Sequence, residues 1–161
     1  AQIGFTAMAP APLLVGSLLD LTSPTLRNML PAETLALYTA PGMLAIHQDE
    51  AGTRGVRVRH TPAGRNGAFL DVWARRLMPH GGGGWRLAAL LLNRGSNTES
   101  FALRADELVE ACGEACGGVE ADTRLQVVDA WSGAAVRTSL RNFTRSVAPR
   151  SSALLTLQEF E

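Results

Sequence analysis

The sequence of 161 residues contains no lysine, only two cysteines and no net charge. All 15 basic residues are arginine, and 15 acidic residues balance them. Without a basic surplus, the charge that attracts nucleic acid or an anionic membrane surface is missing, so we expect neither as a partner. Two cysteines are also too few for a four-cysteine zinc site.

The sequence also lacks a long apolar run. Residues 1–16 are apolar, but they have no positively charged start and contain Pro10 and Pro12, so they predict neither a signal peptide nor a membrane span. The chain starts inside this run, at Ala1 rather than at Met, and we expect the natural protein to extend upstream. A hydrophobic content of 46% and a charged content of 19% are typical of a globular fold.

The first 45 residues predict a helix, a buried strand and further helices. "PLLVGS" at 12–17 is apolar on both faces, as parallel strands in α/β sheets are. "SPTLRNML" at 23–30 begins with a good N-cap and a proline at the first helical position. "PAETLALYT" at 31–39 predicts another helix, which we expect to end at Pro41 and Gly42. One strand cannot form a sheet, so this piece needs neighbours that the chain does not supply.

After residue 55 the hydrophobic period falls to two, which is typical of β-strands. Turn residues separate about eight short apolar segments, which predicts an antiparallel sandwich. The segment 104–118 is less regular; its start is compatible with a helical turn, and its end is predicted to be a loop. The predicted strands are 56–60, 68–77, 85–93, 99–104, 125–131, 134–140, 142–148 and 152–158.

"AIHQDEAGTRG" at 45–55 places His47, Asp49 and Glu50 within four positions. Such a group could serve as a general base or a metal cluster. A metal site, however, needs three or four converging donors, and no second histidine or cysteine cluster lies nearby in the sequence. We favour a polar connector between two structural units.

Cys112 and Cys116 form a C-x3-C pair in a glycine-rich stretch. A local disulfide that closes a surface loop is favoured over free thiols, and such a bond implies an oxidising compartment. "NFT" at 142–144 matches an N-glycosylation acceptor at Asn142.

Other motifs have structural explanations that we prefer. "HGGGGW" at 80–85 lacks the Lys-Ser/Thr ending of a phosphate loop and predicts a hairpin connection instead. Trp73, Trp85 and Trp131 could stack on sugar rings, but large aromatic side chains more often belong to the core. Neither a Ser-His-Asp arrangement nor a dinucleotide fingerprint is present. The spacing of the acidic residues does not identify any two of them as the carboxylate pair of a glycosidase.

The order of several motifs resembles the C-terminal part of the α-galactosidase family of glycoside hydrolases, which includes α-N-acetylgalactosaminidase. The resemblance runs almost end to end. Its most specific pieces are the "PLLVGS" strand, "DVWARRL" with "LAALLLNRGS", and "AIHQDEAG", where the family commonly has an Asn-Gln-Asp-Pro-Leu-Gly type run. Some animal members have a C-x3-C pair at a similar point, which supports a disulfide between Cys112 and Cys116.

The resemblance implies the end of a (β/α)8 barrel, with its last strand and flanking helices in residues 1–54. An antiparallel β-sandwich of about eight strands would follow in 55–161. The family cleaves terminal α-galactosides with retention, through two aspartates on earlier barrel strands. No counterpart of either exists here, so no catalytic residue is assigned, and the isolated chain is expected to be inactive. Ser17, at the end of the last strand, and Asp20, just after it, would line the substrate rim.

The resemblance implies that the enzyme needs no cofactor or metal. The α-galactoside would bind through the upstream barrel, a homodimer is left open, and the protein would be secreted or lysosomal. Two alternatives remain: the sandwich is a non-catalytic module that binds carbohydrate or a protein partner, or it is a structural domain that mediates oligomer contacts. The sequence does not distinguish galactose from N-acetylgalactosamine as the preferred sugar.

Overall fold

The computed structural model describes residues 2–9, 32–62, 69–80 and 84–160. Four α-helices lie in this part of the chain: α1 (Gln2–Met8), α2 (Ala32–Tyr38), α3 (Pro41–His47) and α4 (Ala105–Cys112). Short 3-10 helices span Gly113–Cys116 and Leu140–Asn142. The strands are β1 (Val56–Pro62), β2 (Phe69–Leu77), β3 (Arg86–Asn93), β4 (Glu99–Ala102), β5 (Arg124–Asp129), β6 (Ala135–Ser139), β7 (Thr144–Val147) and β8 (Ser151–Glu159).

The eight strands form two antiparallel sheets. Six strands pair in the order β1-β2-β3-β8-β5-β6, and β4 pairs with β7. Each strand falls on a segment that the two-residue period predicts, so the antiparallel sandwich is confirmed. The predicted barrel strand at 12–17 and the helix at 23–30 lie outside the described residues.

The large sheet is covered on both faces. Its inner face packs against the small sheet and α4, through side chains such as Leu91 and Leu155 that meet Phe101 and Leu108. Its outer face packs against α1 and α3 in a second apolar cluster. Strand β3 is therefore buried on both sides, which explains why "LAALLL" shows no polar alternation.

The helical segment at 31–47 matches the prediction in part. The helix α2 ends at Tyr38, just before Pro41 and Gly42, as predicted, and the structure adds a second helix, α3, that begins at Pro41. A proline at the first helical position lacks an N–H that would have no partner there, and its ring fixes a helical φ, so Pro41 is well suited to start α3. Met43 and Ile46 then bury the inner side of α3 against the sheet.

The segment 104–118 is more regular than predicted. Its start is an eight-residue helix, α4, and its end is a 3-10 helix rather than a loop. Leu108 and Cys112 stand four residues apart and share the buried side of α4, while Val109 remains exposed. None of the described helices is long and apolar enough to cross a membrane.

Candidate functional site

The polar segment 48–55 joins α3 to β1, as the connector interpretation predicted. The Asp49 carboxylate accepts hydrogen bonds from the backbone N–H groups of Ala51 (3.0 Å) and Met78 (2.8 Å). Thr53 Oγ1 donates to the backbone carbonyl of Arg76 at 2.6 Å. These bonds fasten the connector to the end of β2. Within the described ranges, no three potential ligands converge as they would at a metal site.

Asp49 also faces two arginines that project from the outer face of the large sheet. Arg86 approaches it at 3.5 Å, and Arg75 donates through Nη1 to the backbone carbonyl of Ala7 at 2.7 Å. Burial lowers the pKa of both guanidinium groups, and the nearby Asp49 carboxylate offsets part of that effect. The single carboxylate of Asp49 thus stabilises the charge of two buried arginines.

Sequence reasoning missed this cluster. Arg75 lies in the predicted strand 68–77, and a period of two does not reveal that an arginine belongs to the buried side. Arg75 is 0% exposed, and the outer face is covered by α1, which is distant in sequence. The run "ARR" within an apolar strand is the only sequence signal.

A second buried carboxylate, Glu107, was also missed. It accepts two bonds from the Arg59 guanidinium, at 2.5 and 2.6 Å, and further bonds from the backbone N–H and Nε of Arg104. The Arg59 bonds tie α4 to β1, and the bond from the Arg104 backbone N–H satisfies a donor at the start of the helix. This arrangement holds the sandwich together and leaves no free carboxylate oxygen for chemistry.

A histidine–carboxylate pair occurs on the outer face of β1 and β2. His60 Nδ1 lies 2.7 Å from Asp71 Oδ1, with Asp71 buried and His60 partly exposed. The two residues are direct cross-strand partners. The Phe69 ring lies beside the imidazole, with the ring centroids 5.2 Å apart.

Cys112 and Cys116 are joined by a disulfide, with 5.5 Å between their Cα atoms. The bond closes a short segment whose Gly113 and Glu114 are exposed, while both cysteines are buried in the core between the sheets. The bond links the end of α4 to the 3-10 helix that follows, and it contributes apolar sulfur to the core.

Asn142 is exposed at the end of the second 3-10 helix and borders a cleft of about 230 Å³ between β5, β6 and β7. Asp129 and Arg145 pair at 2.5 Å in its wall. In the glycosylation triplet that starts at Asn142, Phe143 is buried and Thr144 is exposed.

The three tryptophans lie against the two cores. Trp85 is buried between the sheets, and Trp73 and Trp131 pack against the outer cluster. Trp73 meets Phe5 of α1 edge to face, at 5.3 Å between centroids. Because Leu77 pairs with Arg86, the glycine-rich segment between β2 and β3 is the hairpin connection that was predicted. Ser17 and Asp20 lie outside the described residues.

No protein-family model matches the chain, and no curated protein matches it by sequence. Solved structures do match. The α-galactosidase of Saccharomyces cerevisiae superposes with a TM-score of 0.75 at 16% identity, over 98% of this chain and 42% of the yeast enzyme. The α-galactosidase I of Mortierella vinacea gives a TM-score of 0.66 at 17% identity, over 96% of this chain and 34% of that one.

A third matching structure is named for a different sugar. It is the β-L-arabinopyranosidase of Geobacillus stearothermophilus, from glycoside hydrolase family 27, with a TM-score of 0.52 at 17% identity, over 79% of this chain and 24% of that one. The chain thus spans less than half the length of the enzymes it superposes on. In fold, the chain resembles part of the α-galactosidase family of glycoside hydrolases, as its sequence predicted.

Proposed function

We propose that the chain is the C-terminal portion of an α-galactosidase-type glycoside hydrolase. The observation that carries this proposal is the superposition of 98% of the chain on 42% of the yeast enzyme. Residues 1–54 would belong to the (β/α)8 barrel, and residues 55–161 would form its accessory sandwich. The complete enzyme would cleave terminal α-galactosides with retention, using two upstream aspartates and no cofactor.

The part played by this chain would be structural. The connector bonds from Asp49 and Thr53, and the packing of α1 and α3 on the outer sheet face, would fix the sandwich against the barrel. Ser17 and Asp20 would line the rim of the substrate site. The disulfide and the acceptor triplet at Asn142 fit a secreted or lysosomal protein, with Asn142 glycosylated.

The test compares the product of the complete reading frame with the 161-residue chain. We expect the complete protein to release the aryl group from an aryl α-galactoside, and the chain alone to show no turnover. Turnover by the chain alone would contradict the proposal, because the chain would then contain the catalytic pair. Inactivity of a folded complete protein on α-galactosides and on α-N-acetylgalactosaminides would contradict it as well.

A non-catalytic binding module is the second candidate. It is supported by a cleft beside Asn142 and another beside Arg86, both lined by residues of the described sheets. A galactoside that binds to the isolated chain and perturbs residues of either cleft would favour this function. The absence of any barrel upstream of the chain would favour it too.

A further inference from the structure

The outer face of the large sheet has a row of polar side chains that crosses four strands. Arg86, Gln158, Gln126 and Arg137 are successive cross-strand partners on β3, β8, β5 and β6. Directly paired residues project from the same face, so the four side chains stand side by side. Gln158 Nε2 donates to Gln126 Oε1 at 3.3 Å, which leaves most of the amide hydrogen-bonding capacity of this pair unused.

A cleft of about 260 Å³ opens over this row. Arg86, Gln126, Gln158 and Thr156 form its floor, and His80 and the Gly42–Ala45 side of α3 lie along its edges. These groups provide N–H and O–H donors around a space large enough for a small organic molecule. No phenylalanine, tyrosine or tryptophan ring lines the cleft among the described residues, so a stacked neutral sugar ring lacks its usual platform.

The charges around the cleft are unbalanced. Arg86 is 8% exposed, and its one hydrogen bond in the described structure is the 3.5 Å contact with Asp49. Asp129 also borders the cleft, but its carboxylate accepts from Arg145 and from the backbone N–H groups of Trp131 and Ser132. Among the described lining residues, the available charge is therefore the positive charge of Arg86.

A second buried guanidinium group, that of Arg75, lies beside Arg86 and has unpaired donors. Arg75 and Arg86 are diagonal neighbours on adjacent strands, because Arg86 pairs with Leu77, two residues after Arg75. Arg75 is fully buried, and its Nε and Nη2 have no hydrogen-bond partner in the described structure. A buried cation that keeps unpaired donors is costly, and Asp49 alone cannot neutralise two of them.

We propose that this cleft binds a carboxylate-bearing small molecule, with Arg86 as the charged anchor and the Gln126 and Gln158 amides as hydrogen-bond donors. A carboxylate matches the planar guanidinium and accepts from neighbouring amides at the same time. Two sources share this chemistry: a sugar acid and a simple carboxylate. The site is separate from the proposed glycosidase function, and its failure leaves that function unaffected.

The test follows the side-chain amide signals of Gln126 and Gln158 in ¹H–¹⁵N spectra of the 161-residue chain at constant ionic strength. We expect acetate and D-galacturonate to shift both pairs of signals saturably, and galactose and chloride at equal concentration to leave them in place. Tighter binding of galacturonate than of acetate identifies the sugar acid as the source, and equal binding identifies the carboxylate alone. Equal shifts with galactose or chloride would overturn the proposal.

Variants separate the site from general charge effects. Arg86→Met should abolish saturable binding. Gln126→Glu is nearly isosteric and removes no buried cation, so it should fold; its added charge should weaken acetate binding about tenfold, as followed at Gln158. Arg141→Met is the matched control, since it removes one positive charge from an exposed surface pair and should leave binding unchanged. Unaltered acetate affinity in Gln126→Glu would overturn the proposal even if Arg86→Met does not fold.

Discussion

Asp49 accepts a hydrogen bond from the backbone N–H of Met78 at 2.8 Å, and this contact joins the connector after α3 to the end of β2. The same carboxylate accepts from Ala51 and faces Arg86. A carboxylate that the sequence allows as a general base or metal ligand thus has a structural role in the fold.

Replacing Asp49 by alanine should therefore destabilise the chain by about 2 kcal/mol, because two backbone donors and Arg86 lose their acceptor. Urea denaturation followed by tryptophan fluorescence measures the change. Glu50→Ala is the control, since the neighbouring carboxylate is exposed and makes no contact of this kind in the described structure. Equal losses in the two variants would refute the structural role of Asp49.

The Glu107 carboxylate should be among the strongest single electrostatic contributors to stability. Glu107→Gln removes the charge that two arginines share in a buried setting, and we expect a loss of about 3 kcal/mol in the free energy of unfolding. Asp122→Asn, in the exposed pair with Arg141, is the control and should change stability little. If both substitutions have small effects, the buried network does not hold α4 on β1.

The disulfide should stabilise the core by about 2 kcal/mol, because a loop this short restricts the unfolded chain only modestly. Adding dithiothreitol should lower the denaturation midpoint of the natural chain. A Cys112→Ala/Cys116→Ala variant should start at a lower midpoint and not respond to the reductant. A natural chain that is insensitive to reductant, with free thiols detected in the folded state, would contradict this expectation.

Gly42 lies where α3 crosses the turn after β5. A Cβ at this position would come within 2.5 Å of the Ala130 carbonyl oxygen, which belongs to the backbone and cannot rotate away. Gly42→Ala should therefore cost about 2 kcal/mol despite the better helix propensity of alanine. Gly4→Ala is the comparison: its Cβ would meet the end of the Leu90 side chain, which can adjust, so the thermal midpoint should fall less. A larger fall for Gly4→Ala would show that α3 is not held against this turn.

The strands of the sandwich could be predicted because the pattern that reveals a strand lies within a few consecutive residues. Each strand alternates or forms a short apolar run between turn residues, as in 151–159 and 69–77, and this pattern reflects burial on a pleated sheet. The pairing of β8 between β3 and β5 could not be predicted, because it joins segments that are distant along the chain.

The buried charges could not be predicted for the same reason. Arg75 contacts Ala7, which lies 68 positions away, and Glu107 contacts Arg59, which lies 48 positions away, besides its local partner Arg104. The helix α3, which was not predicted, was missed for a different reason. Proline ends one helix and also favours the first position of the next, and only the fold determines whether a new helix follows.

The most direct test of the central proposal is the sequence of the transcript upstream of the Ala1 codon. If the chain is the C-terminal portion of an α-galactosidase-type hydrolase, that sequence encodes further β/α units with an aspartate at the ends of two strands. A start codon just upstream, with no barrel encoded before it, would contradict the proposal and leave the sandwich as a binding or structural module.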